Sequence, residues 1–339
     1  MTGIQDVARA VGVSTATVSR ALRGLPGVTA ETREAVMEAA HRLGYTPSPS
    51  AVRLASGRTR TVAVIVPYMT RWFFSTVAQG VESALREQHY DMLLYNLAGS
   101  TSARGHVFET DLLTKRVDAV LIVGLRPSDA ELARLERLGR PMAFVGVEVP
   151  GAANVCIDDA QAARLATRHL IDLGHENIAH VGGPGSLVLD GATPRRRQDS
   201  FHATMAEAGH PVDPTLDLDG GFTIDGGIAA GRALLARTPS PTAVFAASDE
   251  MAMGVIRAAS DLGLRVPEDL SVIGIDNHEL ASFFDLTTVA QDTVAQGRRA
   301  AEVLVSDLEA RSRGEVPRLE KVVLPTRLML RRTTSAPSR

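Results

Sequence analysis

Cysteine occurs once in the 339 residues, as Cys156, so no disulfide can close within the chain and a cysteine-cluster zinc site is disfavoured. Lysine occurs twice, at Lys115 and Lys321, and neither stands in a phosphate-binding Gly-x-x-x-x-Gly-Lys pattern. Neither a Gly-x-Ser-x-Gly elbow nor a His-Glu-x-x-His helix is present, and the nine histidines show no metal-ligand spacing. No apolar run approaches the roughly 18 residues that a membrane span needs. The first residues lack a basic stretch leading into an apolar one, so no secretory signal is expected and the expected location is cytoplasmic. Together these absences argue against an enzyme, a metal or other cofactor, and a membrane partner.

What the chain does have is 45% apolar residues, enough for sizeable cores, and a length that suggests two or three domains. Its net charge of −3 hides an asymmetry. Residues 1–60 hold eight Arg against four acids, whereas the remainder is net acidic. A small basic head on a large acidic body fits a nucleic-acid contact confined to the head; an uneven solvated surface fits equally well on charge alone.

The head reads as three short helices. Ile4, Val7, Ala8 and Val11 share one helical face, Gly12 breaks it, and Ser14 can cap the next helix. In that second helix Val18, Ala21 and Leu22 point inward, while Ala16, Ser19, Arg20 and Arg23 make a small, basic outer face. A third helix follows Thr29, with Val36, Ala39, Ala40 and Leu43 inward and Gly44 as its stop. This spacing fits a helix-turn-helix whose second helix enters the major groove. Thr15 can then hydrogen-bond a base, Ala16 can touch a thymine methyl, and Arg20 can fork onto guanine. Ser14, Thr17 and Ser19 suit phosphate contacts. A plain three-helix bundle remains open on pattern alone.

Pro47-Ser48-Pro49-Ser50 interrupts the head and leads into Ala51–Ala55, a helix too short to stand alone in water. From Thr61 onward, continuous apolar runs recur: Thr61–Pro67, Asp91–Tyr95, Asp118–Val123, Met142–Val147, Asn177–Val181, Ala243–Ala247 and Leu270–Ile275. Helical patterns such as Ser75–Glu87, Ala160–Leu173 and Glu250–Leu262 lie between them. Strands apolar on both faces, alternating with helices, mean parallel sheets covered on both sides, and about 270 residues of this pattern divide into two α/β lobes.

Gln5-Asp6-Val7-Ala8-Arg9-Ala10-Val11-Gly12-Val13-Ser14-Thr15-Ala16-Thr17-Val18-Ser19-Arg20-Ala21-Leu22 resembles the DNA-binding signature of the lactose-repressor (LacI/GalR) family. Val28–Arg33, Leu43–Pro47 and Ala51–Leu54 extend the resemblance, which continues through the body. It implies a helix-turn-helix domain at 1–46 and a hinge helix and linker at 47–60. It also implies a periplasmic-binding-protein type I body: one lobe at 61–160 plus 291–319, a second at 161–290 plus 320–333, and a tail at 334–339. Two such chains are implied to bind a palindromic duplex operator as a homodimer, with Leu54 of each hinge wedged into the minor groove. No heptad zipper follows Arg332, which favours a dimer over a tetramer.

The resemblance also places a small-molecule effector, expected to be a carbohydrate, between the lobes. Phe73 matches a cleft aromatic, and Trp72 replaces a proline beside it. Phe222 matches a ring that lies against the ligand, and Arg197 the arginine that binds effector oxygens. Asp276 matches the ligand-binding aspartate, and Ser248-Asp249 a pair commonly Asn-Asp. For either aspartate, helix capping is the structural alternative. Two readings compete: a nucleotide-dependent enzyme, resting on Gly182-Gly183-Pro184-Gly185, and a transport solute-binding protein. The first lacks a complete phosphate loop and the second an export signal. The expected protein is therefore an effector-controlled transcription regulator, most simply a repressor.

Overall fold

The computed structural model describes residues 3–22, 24–45, 59–109, 111–114, 116–183, 192–316 and 319–338. Leu54 with the rest of the hinge, Arg23, and Pro184-Gly185 of the glycine-rich turn lie outside them. The chain forms two compact units, Met1–Thr59 and Arg60–Arg339.

In the head, α1 (Ile4–Val11), α2 (Thr15–Leu22) and α3 (Ala30–Arg42) follow the predicted order. The Gly3 N–H donates to Asp6 Oδ2 at 2.9 Å to start α1, and Gly12, at φ 73°, ends it. Ser14 Oγ accepts the Thr17 N–H at 3.1 Å, and Thr29 Oγ1 accepts that of Thr32 at 3.2 Å. Each bond satisfies a backbone donor that the helix start would leave orphaned. Val7, Val18, Ala21, Val36 and Ala39 close the core. Arg33 donates through Nη2 to the Leu25 carbonyl at 3.0 Å, tying the loop between α2 and α3 to α3.

The body holds two six-stranded sheets. The first contains β1 (Thr61–Val66), β2 (Asp91–Asn96), β3 (Ala119–Val123), β4 (Met142–Val145), β5 (Ala153–Ile157) and β11 (Lys321–Leu324), in the order β11-β5-β4-β3-β1-β2 and all parallel. The helices α4 (Trp72–Glu87) and α11 (Thr293–Ser312) contribute to the core on one face; α5 (Thr101–Glu109) and α6 (Asp129–Arg137) contribute to that on the other. The second sheet contains β6 (Ile178–Gly182), β7 (Asp217–Asp219), β8 (Ala243–Ala246), β9 (Ser271–Asp276), β10 (Thr287–Ala290) and β12 (Arg327–Met329). Its order is β12-β10-β9-β8-β6-β7, with β12 alone antiparallel to its neighbour. One face packs on α9 (Ile224–Leu235) and α10 (Asp249–Asp261), the other on α7 (Asp159–Asp172) and α8 (Ala192–Glu207). Central strands such as β1, β3 and β9 are buried at every residue, because helices exclude water from both faces.

Three features differ from the sequence reading. Lys321–Leu324, expected in the second lobe as part of 320–333, pairs with β5 in the first; the chain changes sheets between β11 and β12. β11 alternates exposed and half-buried residues at a sheet edge, so it lacks the apolar run that marks a central strand. β5 also escaped the apolar-run criterion, because Asn154 interrupts it. That amide is buried, accepting from Val149 N–H at 2.8 Å and donating to the Val149 and Ala152 carbonyls. Lastly, the Ser/Thr/Pro tail is pinned to the second lobe. His175 Nε2 meets the Ser335 carbonyl at 2.8 Å, His169 Nε2 meets Thr334 Oγ1 at 2.9 Å, and Ser335 N–H donates to Ser271 Oγ at 3.0 Å.

Candidate functional site

On the head, Ser14, Thr15, Ala16 and Arg20 are exposed along α2, and Thr17 and Ser19 are half-buried at its flank. Ser14 and Thr17 also share a hydroxyl–hydroxyl hydrogen bond of 2.9 Å. The inward side of α2 is held by Val18 and Ala21, so its outer face projects from a fixed core. Exposed side chains that are short at Thr15 and Ala16 and long at Arg20 let the helix approach a base-pair edge closely.

In the body, the carboxyl ends of strands from both sheets surround a cleft. Open parallel sheets bind ligands at this end, where strands give way to loops and helix starts. The first lobe supplies Phe73 from the start of α4, with Gly124 and Gly146 just past β3 and β4. The second supplies Arg197, Phe222, Ser248 and Asp276. Of the effector residues expected from sequence, these five side chains meet here. Phe222 and Asp276 have φ of 54° and 139°. Such backbone costs about 1–3 kcal/mol and clusters at functional sites.

Arg197 is buried, with Nε 2.8 Å from Asp159 Oδ1 and Nη1 2.5 Å from the Ala247 carbonyl. Asp159 Oδ1 also lies 2.8 Å from Nη2. The pair neutralises two buried charges and orients the guanidinium at the cleft wall. On the same lobe, Asp276 Oδ1 accepts from Gln291 Nε2 at 2.6 Å, and Gln291 Oε1 accepts from Gln296 Nε2 at 2.9 Å. Gln296 belongs to α11 of the first lobe, so this relay ties the cleft-lining carboxylate to the opposite lobe. Thr193 Oγ1 donates to the Gly146 carbonyl at 3.2 Å, a second tie between lobes.

Two expected residues are absent from the cleft lining. Trp72 packs against His278 of the second lobe, with ring centroids 4.8 Å apart and planes tilted by 35°, so its ring bridges the lobes. Asp249 is fully buried behind the wall, accepting from His278 N–H at 2.8 Å and Thr288 Oγ1 at 2.6 Å. It does not cap α10; Ser248 does, accepting the Met251 N–H at 3.3 Å. Burial pushes the carboxyls of Asp249 and Asp276 upward. Glu250 is pushed up to about 7 by burial and by the charge of Asp276, against the pull of Arg71.

Sequence reasoning passed over Arg71, Asp159, Thr193, Glu250, Gln291 and Gln296, all of which line the cleft. Strand ends were the available signal: Asp159 follows β5, Gln291 follows β10, and Glu250 sits in the first turn after β8. Asp158, one residue earlier, caps α7 by accepting the Gln161 N–H at 2.9 Å. Among the described residues no group of three metal-ligating side chains occurs, and no helix is long and apolar enough to cross a membrane.

A helix-turn-helix unit in one chain with a two-lobed, cleft-bearing α/β unit defines the class of ligand-responsive DNA-binding regulators. Residues 3–48 match the model of bacterial regulatory proteins of the lacI family, and residues 167–334 match a periplasmic binding protein-like domain. The chain is 35% identical to catabolite control protein A of Priestia megaterium, over 98% of each chain. It is also 35% identical to the HTH-type transcriptional repressor CytR of Escherichia coli (strain K12), over 98% of this chain and 96% of that one. The lac repressor dimer bound to operator and the anti-inducer ONPF superposes with a TM-score of 0.85 at 27% identity, covering 99% of both chains. A complex of the transcriptional regulator CelR with cellobiose gives 0.72 at 33% identity, covering 98% of this chain and 100% of that one. The chain belongs to the lacI family of bacterial regulatory proteins and is a DNA-binding transcriptional regulator.

Proposed function

We propose that this protein is a cytoplasmic, homodimeric repressor of a palindromic operator, controlled by a carbohydrate effector in the cleft between the two lobes of the body. The observation that carries the reading is the meeting of Phe73, Arg197, Phe222 and Asp276 around one cleft. Aromatic faces suit the C–H face of a sugar ring, while the carboxylate and the guanidinium suit its hydroxyls. The CelR structure holds cellobiose, a ligand of this chemical kind. On the head, Thr15, Ala16 and Arg20 read bases and Ser14, Thr17 and Ser19 hold phosphates; Leu54, outside the described residues, is the minor-groove wedge of the hinge. A ligand that touches both lobes can favour one lobe arrangement, and so shift operator affinity, only through that difference in binding. The protein works by binding and catalyses no reaction.

Operator selection from random duplexes, followed by titration of variants, tests both halves. Arg20→Ala is expected to cost about 1–3 kcal/mol on the operator and to relax preference at one base pair. Equal losses on operator and random DNA would make Arg20 a phosphate contact only. Asp276→Ala is expected to keep operator binding and lose the effector response; an unchanged effector affinity would move the pocket elsewhere.

A further inference from the structure

Arg71 differs from the other arginine of the cleft. Arg197 is committed to Asp159 and the Ala247 carbonyl, whereas Arg71 makes no ion pair among the described residues, and its buried Nη1 has no hydrogen-bond partner there. An orphaned guanidinium N–H loses its water without compensation, a cost expected to be recovered by something that occupies the cleft. Arg71 precedes the first residue of α4, and its side chain makes no capping bond. Instead the guanidinium lies over the Tyr68 ring, 3.9 Å from the centroid. Tyr68 is itself seated closely: a Cβ on Gly99 would fall 2.6 Å from its hydroxyl, and the following Met69 N–H donates to Asn96 Oδ1 at 3.2 Å. The fork is therefore held in place before any ligand arrives, which reduces the ordering cost of binding.

We propose that Arg71 is a specificity-determining residue, and that the effector carries an acidic group, a carboxylate or a phosphate, which this guanidinium receives at the cleft wall of the first lobe. The proposal rests on the reading that the effector is a carbohydrate bound in this cleft, and it narrows that class to acidic sugars. A planar guanidinium with free donors matches a carboxylate or phosphate in a two-bond fork, and such charge-assisted bonds are about twice as strong as neutral ones. The groups opposite accommodate the added charge. Asp276 is held by Gln291, and Asp159 is neutralised by Arg197. Glu250, raised to about 7, carries a proton much of the time at neutral pH and can offer its hydroxyl to the ligand. The sugar ring then lies between Phe73 and Phe222, with its hydroxyls toward Arg197 and Asp276 and its acidic group toward Arg71.

The test uses the full chain and matched pairs of probes: D-glucuronate with D-glucose, D-galacturonate with D-galactose, and D-glucose 6-phosphate with D-glucose. Thermal shift ranks them and calorimetry measures affinity. The expected result is binding of an acidic member well above its neutral parent; the uronate and phosphate arms identify which acid. Arg71→Met, which keeps an unbranched apolar side chain and removes the charge, should then weaken the acid by at least about tenfold, and Arg71→Lys should restore part of it. Binding of acid and neutral members alike, or an acid bound equally by Arg71→Met, overturns the assignment. If neutral sugars bind and Asp276→Ala abolishes this, the carbohydrate cleft stands and only the role of Arg71 falls. A panel in which no probe binds counts against both.

Discussion

The two lobes of the body are built on one plan and differ in what they present to the cleft. Each has a six-stranded sheet with a helix pair crossing one face, and each crossing depends on glycines from both helices. In the first lobe, a Cβ on Gly80 would lie 2.1 Å from the Val294 carbonyl oxygen, and one on Gly297 would lie 2.1 Å from that of Val77. In the second, Gly227 faces Met251 and Gly254 faces Ile224 at 2.3 and 2.2 Å. At the strand ends the likeness stops. The first lobe offers Phe73, two glycines and Arg71; the second offers a buried ion pair, Asp276 and Glu250. The backbone plan thus determines where the cleft lies, and a few side chains just past the strands set its chemistry.

The largest expected effect tests this division directly. Arg197→Ala strands Asp159 in the second lobe, and loss of one partner of a buried pair costs about 3–5 kcal/mol. Urea denaturation should show that loss, whereas Phe73→Ala in the first lobe should affect effector binding more than stability. A cost for Arg197→Ala below about 1 kcal/mol would mean that Asp159 is readily rehydrated or protonated, and that the ion pair is not what distinguishes the lobes. Next in size are the crossings. Gly297→Ala and Gly254→Ala should each destabilise by about 1–3 kcal/mol through overpacking. Similar losses in melting experiments would support the shared plan; a harmless change in one lobe alone would break it.

The smallest effect concerns pH. Glu250 in the second lobe has a folded value of about 7 against an ordinary 4.5, so the folded state holds more protons between those values and stability falls as pH rises through them. Glu250→Gln should flatten that fall. It should not abolish it, because Asp249 and Asp276 are shifted the same way. Glu131 of the first lobe is held below its ordinary value: burial opposes this, but hydrogen bonds from Arg104 and the Ser128 N–H prevail. Its contribution is lost as pH falls through the lowered value, so Glu131→Gln should remove stability at neutral pH that acid removes from the wild type. Melting temperatures measured across pH for the two variants check the contrast; changes in the same direction would contradict it.

The head was legible residue by residue. Its caps, turn glycine and inward stripe are local features, and Ser14, Thr29, Gly12 and Val18 take the positions that their chemistry favours. Most central strands of the body were legible for a related reason: burial on both faces demands continuous apolar runs. The interior strands β5, interrupted by Asn154, and β10, short and begun by two threonines, were not, nor were the edge strands β7, β11 and β12, where one side meets no further strand and the apolar requirement relaxes.

The sequence by itself determined the helix-turn-helix and the alternation of strand and helix through periodicity, the family through an extended motif, and the conjunction of Phe73, Arg197, Phe222 and Asp276 only as what the family resemblance implied. Only the tertiary structure decided which acid carries which burden. Asp159 rather than Asp158 partners Arg197, Asp249 lies behind the cleft wall, Trp72 bridges to His278, and Arg71 is left with an unpartnered donor. Those outcomes depend on contacts between segments tens to hundreds of residues apart, such as Trp72 with His278. One residue of register rotates a side chain at a helix start by about 100° around the axis, enough to send it into the cleft or behind it. Local sequence chemistry selects the elements; packing between distant elements sets where each side chain points and which charge it meets.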